Sequence, residues 1–180
     1  MVNKKGREEY MSTGLIIWGI VVITIIAVFI YKAGSNINNQ YKYNINIDKV
    51  GFDKFKLPLI KLNIRGLDKY FLVDTGANSN VLSMDIIDLP EFEDKIHVVG
   101  ELTQLGGGGV SEVVKEIQEC VRTEDEAFTI KFSVSNSYKN LADAIKAETG
   151  LEVVGLIGSP FLEKAKWIID LDSLVIWAKK

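Results

Sequence analysis

The chain has 180 residues, 25% of them charged, and a net charge of −3 at neutral pH. That length suffices for one well-packed domain and falls short of two lobes with their connections. A mildly acidic body without a basic stripe argues against nucleic acid as a partner. One cysteine, Cys120, excludes an internal disulfide framework and reads as a small buried apolar residue of a strand. His97 is the single histidine, so any Ser-His or Cys-His pair would have to use it. The His and Cys content is also too low for a zinc site, and no residue pattern asks for a metal or another cofactor.

A short tail, residues 1–13, carries Lys4, Lys5 and Arg7 against Glu8 and Glu9. From Tyr10 to Tyr31 no residue is charged, and Leu15 to Ile30 is almost wholly aliphatic or aromatic. As a helix that stretch would be about 33 Å long, enough to cross a hydrocarbon core of about 30 Å. A buried core helix would show a polar stripe, and a signal peptide would have a shorter apolar region and a small-x-small cleavage site. Tyr31-Lys32-Ala33 is a poor one. Residues 14–31 are therefore expected to form a single uncleaved transmembrane helix. The basic residues before it lean towards an extracytoplasmic C-terminal domain.

Residues 32–49, rich in Asn, read as a polar linker, and residues 50–180 as the folded domain. Ile60, Leu62 and Ile64 alternate with Lys61 and Asn63; Arg65-Gly66-Leu67-Asp68 makes a turn, and Tyr70 to Val73 returns as a second strand. Val113 to Val121 and Ala127 to Val134 predict a hairpin around Thr123 to Glu126. A short helix is expected from Asn140, as its cap, to Gly150, with Leu141 and Ile145 on one face. A second follows around Pro160 to Lys164, and then one apolar strand from Trp167 to Trp177. Many short strands with two brief helices indicate a compact, mostly β domain.

The residue out of place is Asp74. The apolar run Phe71-Leu72-Val73 leads straight into Asp74-Thr75-Gly76-Ala77, and a carboxylate at the buried end of a strand must be paired, hydrogen-bonded or chemically employed. Its plain structural reading is a turn residue that caps the strand with its own backbone. Asp85, Asp88, Asp170 and Asp172 lack this context and read as solvated or turn residues. No second Asp-Thr-Gly or Asp-Ser-Gly occurs. The run Gly106-Gly107-Gly108-Gly109-Val110 has no Lys-Ser/Thr after it, which argues against a phosphate cradle.

Three features in order resemble the retropepsin-like aspartic proteases, including bacterial membrane-anchored ones. They are Asp74-Thr75-Gly76-Ala77 after an apolar strand, the Gly106 to Val110 segment, and Leu156-Ile157-Gly158 running into Pro160-Phe161-Leu162. The resemblance covers about residues 55 to 178. It implies an all-β fold, a closed one-lobed barrel with short helices, placed after the transmembrane helix. It implies Asp74 as the catalytic residue, with Thr75 fixing the loop by hydrogen bonds and Gly76 allowing two backbones to approach. Gly106, Gly107, Gly108, Gly109 and Val110 would form a flap over substrate, and Leu156, Ile157 and Gly158 the second motif. Two carboxylates are needed, so one Asp74 per chain implies a homodimer acting on a polypeptide. Family members of the retroviral kind carry an acid and an Arg where this chain has Asn78 and Ser159, and a Ser or Thr where it has Asn80. A catalytically silent, membrane-tethered peptide-binding or assembly module of the same fold is the competing reading.

Overall fold

The computed structural model describes residues 20–32, 41–92, 96–105 and 111–179. The chain divides into two units, residues 1–42 with Lys180, and Tyr43–Lys179. In the first, residues 20–32 form helix α1, with exposed side chains. Residues 14–19 of the predicted span lie outside the described residues, and among the described residues no helix is long and apolar enough to cross a membrane.

The folded domain begins earlier than its composition suggests. Tyr41–Asn46 is strand β1, inside the expected linker. Tyr43, Ile45 and Ile47 point into the core while Asn44 and Asn46 face out. Asparagine is depleted in strands, so it masked a regular period-two alternation. Asp48 then caps helix α2 (Lys49–Phe55), its carboxylate accepting the Gly51 N–H at 2.9 Å.

The remaining elements are β2 (Leu59–Ile64), β3 (Leu67–Val73), β4 (Val81–Leu82), α3 (Met84–Ile87), β5 (Val98–Leu105), β6 (Ser111–Arg122), β7 (Ala127–Val134), α4 (Lys139–Thr149), β8 (Val153–Ile157), α5 (Ser159–Ala165), β9 (Trp167–Asp170) and β10 (Val175–Lys179). The larger sheet runs β2-β3-β8-β4-β7-β6-β5, and β2 also pairs with β6. That pairing closes β2, β3, β8, β4, β7 and β6 into a six-stranded barrel, with β5 added to the outer edge of β6. The seam is short: only Asn63↔Arg122 and Ile64↔Val121 pair across it. A second sheet, β1-β10-β9, is joined through the bridge Ile47↔Ile60.

Two apolar clusters use opposite faces of the same strands. Phe71, Val73, Ile157, Phe132 and Ile117 belong to the larger one. Leu72, Leu156, Leu59 and Val153 belong to a smaller one, covered by Ile145 of α4. Every residue of β8 is buried, which is what a parallel partner of β3 covered on both faces requires.

Four expectations are corrected. The apolar run Trp167 to Trp177 is a hairpin, β9–β10, because the Asp170 carboxylate accepts the N–H groups of Asp172 (3.1 Å) and Ser173 (3.2 Å) and turns the chain. The turn after β2 has two residues, Arg65 and Gly66, since Leu67 and Asp68 already pair with Ile64 and Asn63. Helix α4 has Tyr138 at its N-cap and Asn140 in its first turn, while Gly150 ends it at φ +77° as expected. Cys120 is exposed: on β6 the inward phase is Ile117, Glu119, Val121, which turns Cys120 outward.

Candidate active site

Asp74 is the first residue beyond β3, and the strand beside it places the second motif next to the first. β3 and β8 run parallel with Leu72 opposite Leu156 and Val73 opposite Ile157. The Asp74 N–H donates to the Ile157 carbonyl at 3.0 Å, so Gly158 follows directly alongside. The structure thus brings Asp74, Thr75, Gly76 and Ala77 together with Leu156, Ile157 and Gly158, from positions far apart in the sequence. Gly106 to Val110 lie outside the described residues.

The loop after Asp74 is held largely by neutral groups. The Gly76 N–H donates to Asp74 Oδ1 at 2.8 Å, and the Ala77 N–H to the Asp74 carbonyl at 3.2 Å. This is the local turn that a strand-end Asp makes with its own backbone. The Ala77 carbonyl accepts two bonds from one residue, the Ser159 N–H at 2.9 Å and the Ser159 hydroxyl at 2.8 Å. Thr75 and Gly76 are exposed, Asp74 and Ala77 half-buried. Thr75 is exposed, and a side-chain bond to this loop comes from Ser159, at the start of α5 directly after the neighbouring strand β8.

Asn80, directly before β4, ties β7 to Gly158 at the N-cap of α5, a role that sequence reasoning missed. It is 7% exposed. Its Oδ1 accepts the Gly158 N–H at 2.9 Å, and its Nδ2 donates to the Lys131 carbonyl of β7 at 3.1 Å. Its own carbonyl accepts the Ser133 N–H at 2.9 Å. A buried amide with partners on both ends costs little to bury and fixes what it bridges. A Ser or Thr at this position would have to accept and donate through one oxygen, where Asn uses two separate atoms. Nothing in the sequence set Asn80 apart, because Asn78 and Ser79 precede it in the same polar run before Val81-Leu82.

Gly158 is needed for close approach. A Cβ there would lie 2.3 Å from the Ser79 carbonyl oxygen and 2.9 Å from that of Ala77. No side chain fits, because the obstacles are backbone.

Other candidates fall outside this cluster. Asp85 pairs with Lys139 at 3.1 Å, and Asp170 turns the β9–β10 hairpin. Tyr138 packs with the smaller apolar cluster, and burial pushes its hydroxyl well above the usual phenol range. Among the described residues no group of three or more His, Cys, Asp or Glu is placed to hold a metal ion.

The site can therefore present one carboxylate on an exposed, rigidly held loop, with only neutral side chains, Asn78, Asn80 and Ser159, in the adjoining segments. No family model matches the chain, and no curated protein matches it. Among solved structures, the retropepsin-like aspartic protease of Rickettsia conorii is similar at 21% identity and a TM-score of 0.48, covering 76% of this chain and 89% of that one. The EIAV protease bound to an inhibitor matches at 15% identity and a TM-score of 0.46, covering 65% and 95%. The retroviral protease-like domain of Ddi1 from Leishmania major matches at 14% and 0.44, covering 63% and 81%.

Proposed function

We propose that this chain is a membrane-anchored aspartic endopeptidase of the retropepsin-like type, active as a homodimer in which each protomer supplies Asp74. The observation that carries the reading is the register of β3 and β8, which sets a strand-end carboxylate beside a glycine that tolerates no side chain. Such a loop presents Asp74, Thr75 and Gly76 outward, where a second copy can meet it.

The chemistry follows from the pairing. Two carboxylates held close across a two-fold axis share one proton, because like charges at that distance do not both ionise. One acts as base and draws a proton from a water lying between them. The water attacks the peptide carbonyl, while the other carboxyl gives its proton to the carbonyl oxygen. Collapse of the tetrahedral intermediate breaks the C–N bond, and the amine leaves with a proton from the pair. Asp74 is the catalytic residue; Gly76, Ser159, Asn80 and Gly158 keep it in place. The substrate is an extended polypeptide alongside β5–β6, with the Gly106 to Val110 sequence in contact with it. The apolar stretch 14–31 supports a bilayer anchor that confines protomers to a plane and raises their effective concentration. The charges around it favour an extracytoplasmic domain.

Asp74→Asn tests the reading. It should abolish peptide cleavage and leave the circular dichroism spectrum and melting temperature of the wild type. Cleavage that survives the substitution, or a wild type that cleaves nothing in a diverse peptide library from acid to neutral pH, sinks the protease assignment. Sedimentation of the full chain in detergent tests the dimer: a strict monomer at the highest concentration refutes the shared site.

A further inference from the structure

We propose that Arg65 is a positioning residue that fastens the β5–β6 hairpin to the hairpin carrying Asp74; the proposal rests on the catalytic reading of Asp74.

Arg65 occupies a backbone position that few side chains choose. It is the first residue of the two-residue turn between β2 and β3, at φ +52°, and Gly66 follows at φ +86°. Two left-handed residues suit the twist of a tight hairpin, and Asn, Asp or Gly adopt that conformation with least strain. A long cationic side chain there has to be held by its surroundings.

The surroundings are specific. Arg65 Nε donates to Glu119 Oε2 at 2.9 Å, and Nη2 donates to Oε1 of the same carboxylate. Nη1 donates to the Glu91 carbonyl at 3.2 Å, and the guanidinium lies 4.7 Å from the centre of the Phe92 ring. The Glu119 side chain is 5% exposed and that of Arg65 15%. Phe92 is fully buried. Glu119 stands on the inward phase of β6, between Ile117 and Val121, where an apolar residue is the ordinary choice.

These partners come from both roots of one hairpin. Glu119 lies on β6, and Glu91 with Phe92 precedes β5. The roots are tied again where the Gln118 N–H donates to the His97 carbonyl at 3.2 Å. The other end of the fastening is the turn that opens β3, the strand ending at Asp74. The barrel seam at this corner has only two residue pairs. A bidentate guanidinium–carboxylate pair fixes direction as well as distance, which an apolar contact does not. Arg65, which reaches no reacting atom, therefore reinforces the short β2–β6 seam that places β5–β6 relative to β3.

The test uses the full chain with Arg65→Gln and the milder Arg65→Lys, read by amide hydrogen exchange and by kinetics on a peptide that the wild type cleaves. Exchange should quicken at least about tenfold more over residues 97–101 and 113–119 than over Leu67–Val73 and Val153–Ile157. KM should rise about fivefold with kcat held, and Arg65→Lys should recover part of both effects. Exchange that quickens equally in every strand, or stays unchanged in the hairpin, overturns the proposal, as does a fall in kcat alone. If Arg65→Gln does not fold, Arg65→Lys carries both readouts. If the wild type cleaves nothing, the catalytic reading fails, and exchange still decides whether Arg65 fastens the hairpin.

Discussion

The two ends of β3 are held by opposite means. At its start, Arg65 and Glu119 bury a charge pair against an aromatic ring. At its end, among the described residues, no ion pair figures in the hydrogen bonds that secure the Asp74 loop; its partners are backbone groups, Asn80 and Ser159, and it packs on a glycine with no room for a Cβ. The difference fits the catalytic role proposed for Asp74. In the proposed dyad the one titrating neighbour of Asp74 is its second copy, and neutral partners elsewhere keep further charges from altering the proton affinity of the pair. Charges can do structural service where no reaction occurs, provided they are paired and hydrogen-bonded.

Substitutions at the two ends break this contrast in different ways. The largest effect is expected from Glu119→Ala, which strands a buried guanidinium and should cost about 4 kcal/mol in urea unfolding. Arg65→Met with Glu119→Leu should recover most of that loss, because no charge is left unpaired. Gly158→Ala should cost about 3 kcal/mol, since Ser79 and Ala77 obstruct with backbone atoms that cannot swing aside. Asn80→Leu comes next, at about 2 kcal/mol, by leaving the Gly158 N–H and the Lys131 carbonyl without their partner. Ser159→Ala removes one of two bonds to the Ala77 carbonyl and should cost only about 1 kcal/mol. An unchanged unfolding midpoint for Asn80→Leu would show that the loop is held by glycine sterics alone.

A titration sharpens the comparison further. Burial pushes the Tyr43 hydroxyl up to about 12, against an ordinary value near 10. The unfolded chain therefore loses that proton first. Tyr43 contributes full stability below about pH 10, and the contribution declines as pH rises towards 12. Unfolding midpoints measured from pH 9 to 12 should fall less steeply in Tyr43→Phe than in the wild type, and equal slopes would refute this.

Much of the barrel was legible in the sequence because its signals are local. Ile60, Leu62 and Ile64 alternate, Phe71 to Val73 is continuously apolar, and Thr123 to Glu126 closes a hairpin between neighbours. The place of Asp74 at a strand end was legible for the same reason. Asn80 was not, because Lys131 and Gly158 lie 51 and 78 residues away and nothing near it announces them. Glu119 reads as a solvated charge between Gln118 and Cys120 until its strand is given an inward face. β1 hid behind its asparagines, and the Trp167 to Trp177 run hid a turn because Leu171 and Leu174 keep it apolar.

The double burial of β8 and of Phe71 to Val73 in β3 has a consequence for how the chain finds its fold. In most sheets a one-residue slip turns apolar side chains to water, and that penalty enforces alignment. Here a slip would merely exchange two dry faces, so hydrophobicity does not proofread this pair. Glycine does. Gly155 lies opposite Phe71, and a Cβ at that point would be 2.5 Å from the aromatic ring and 2.9 Å from the Val81 carbonyl oxygen. Moving Val154 or Leu156 into that place puts a branched side chain where only a hydrogen fits. The alignment that sets Gly158 beside Asp74 is thus selected by the one residue in β8 that has no side chain at all.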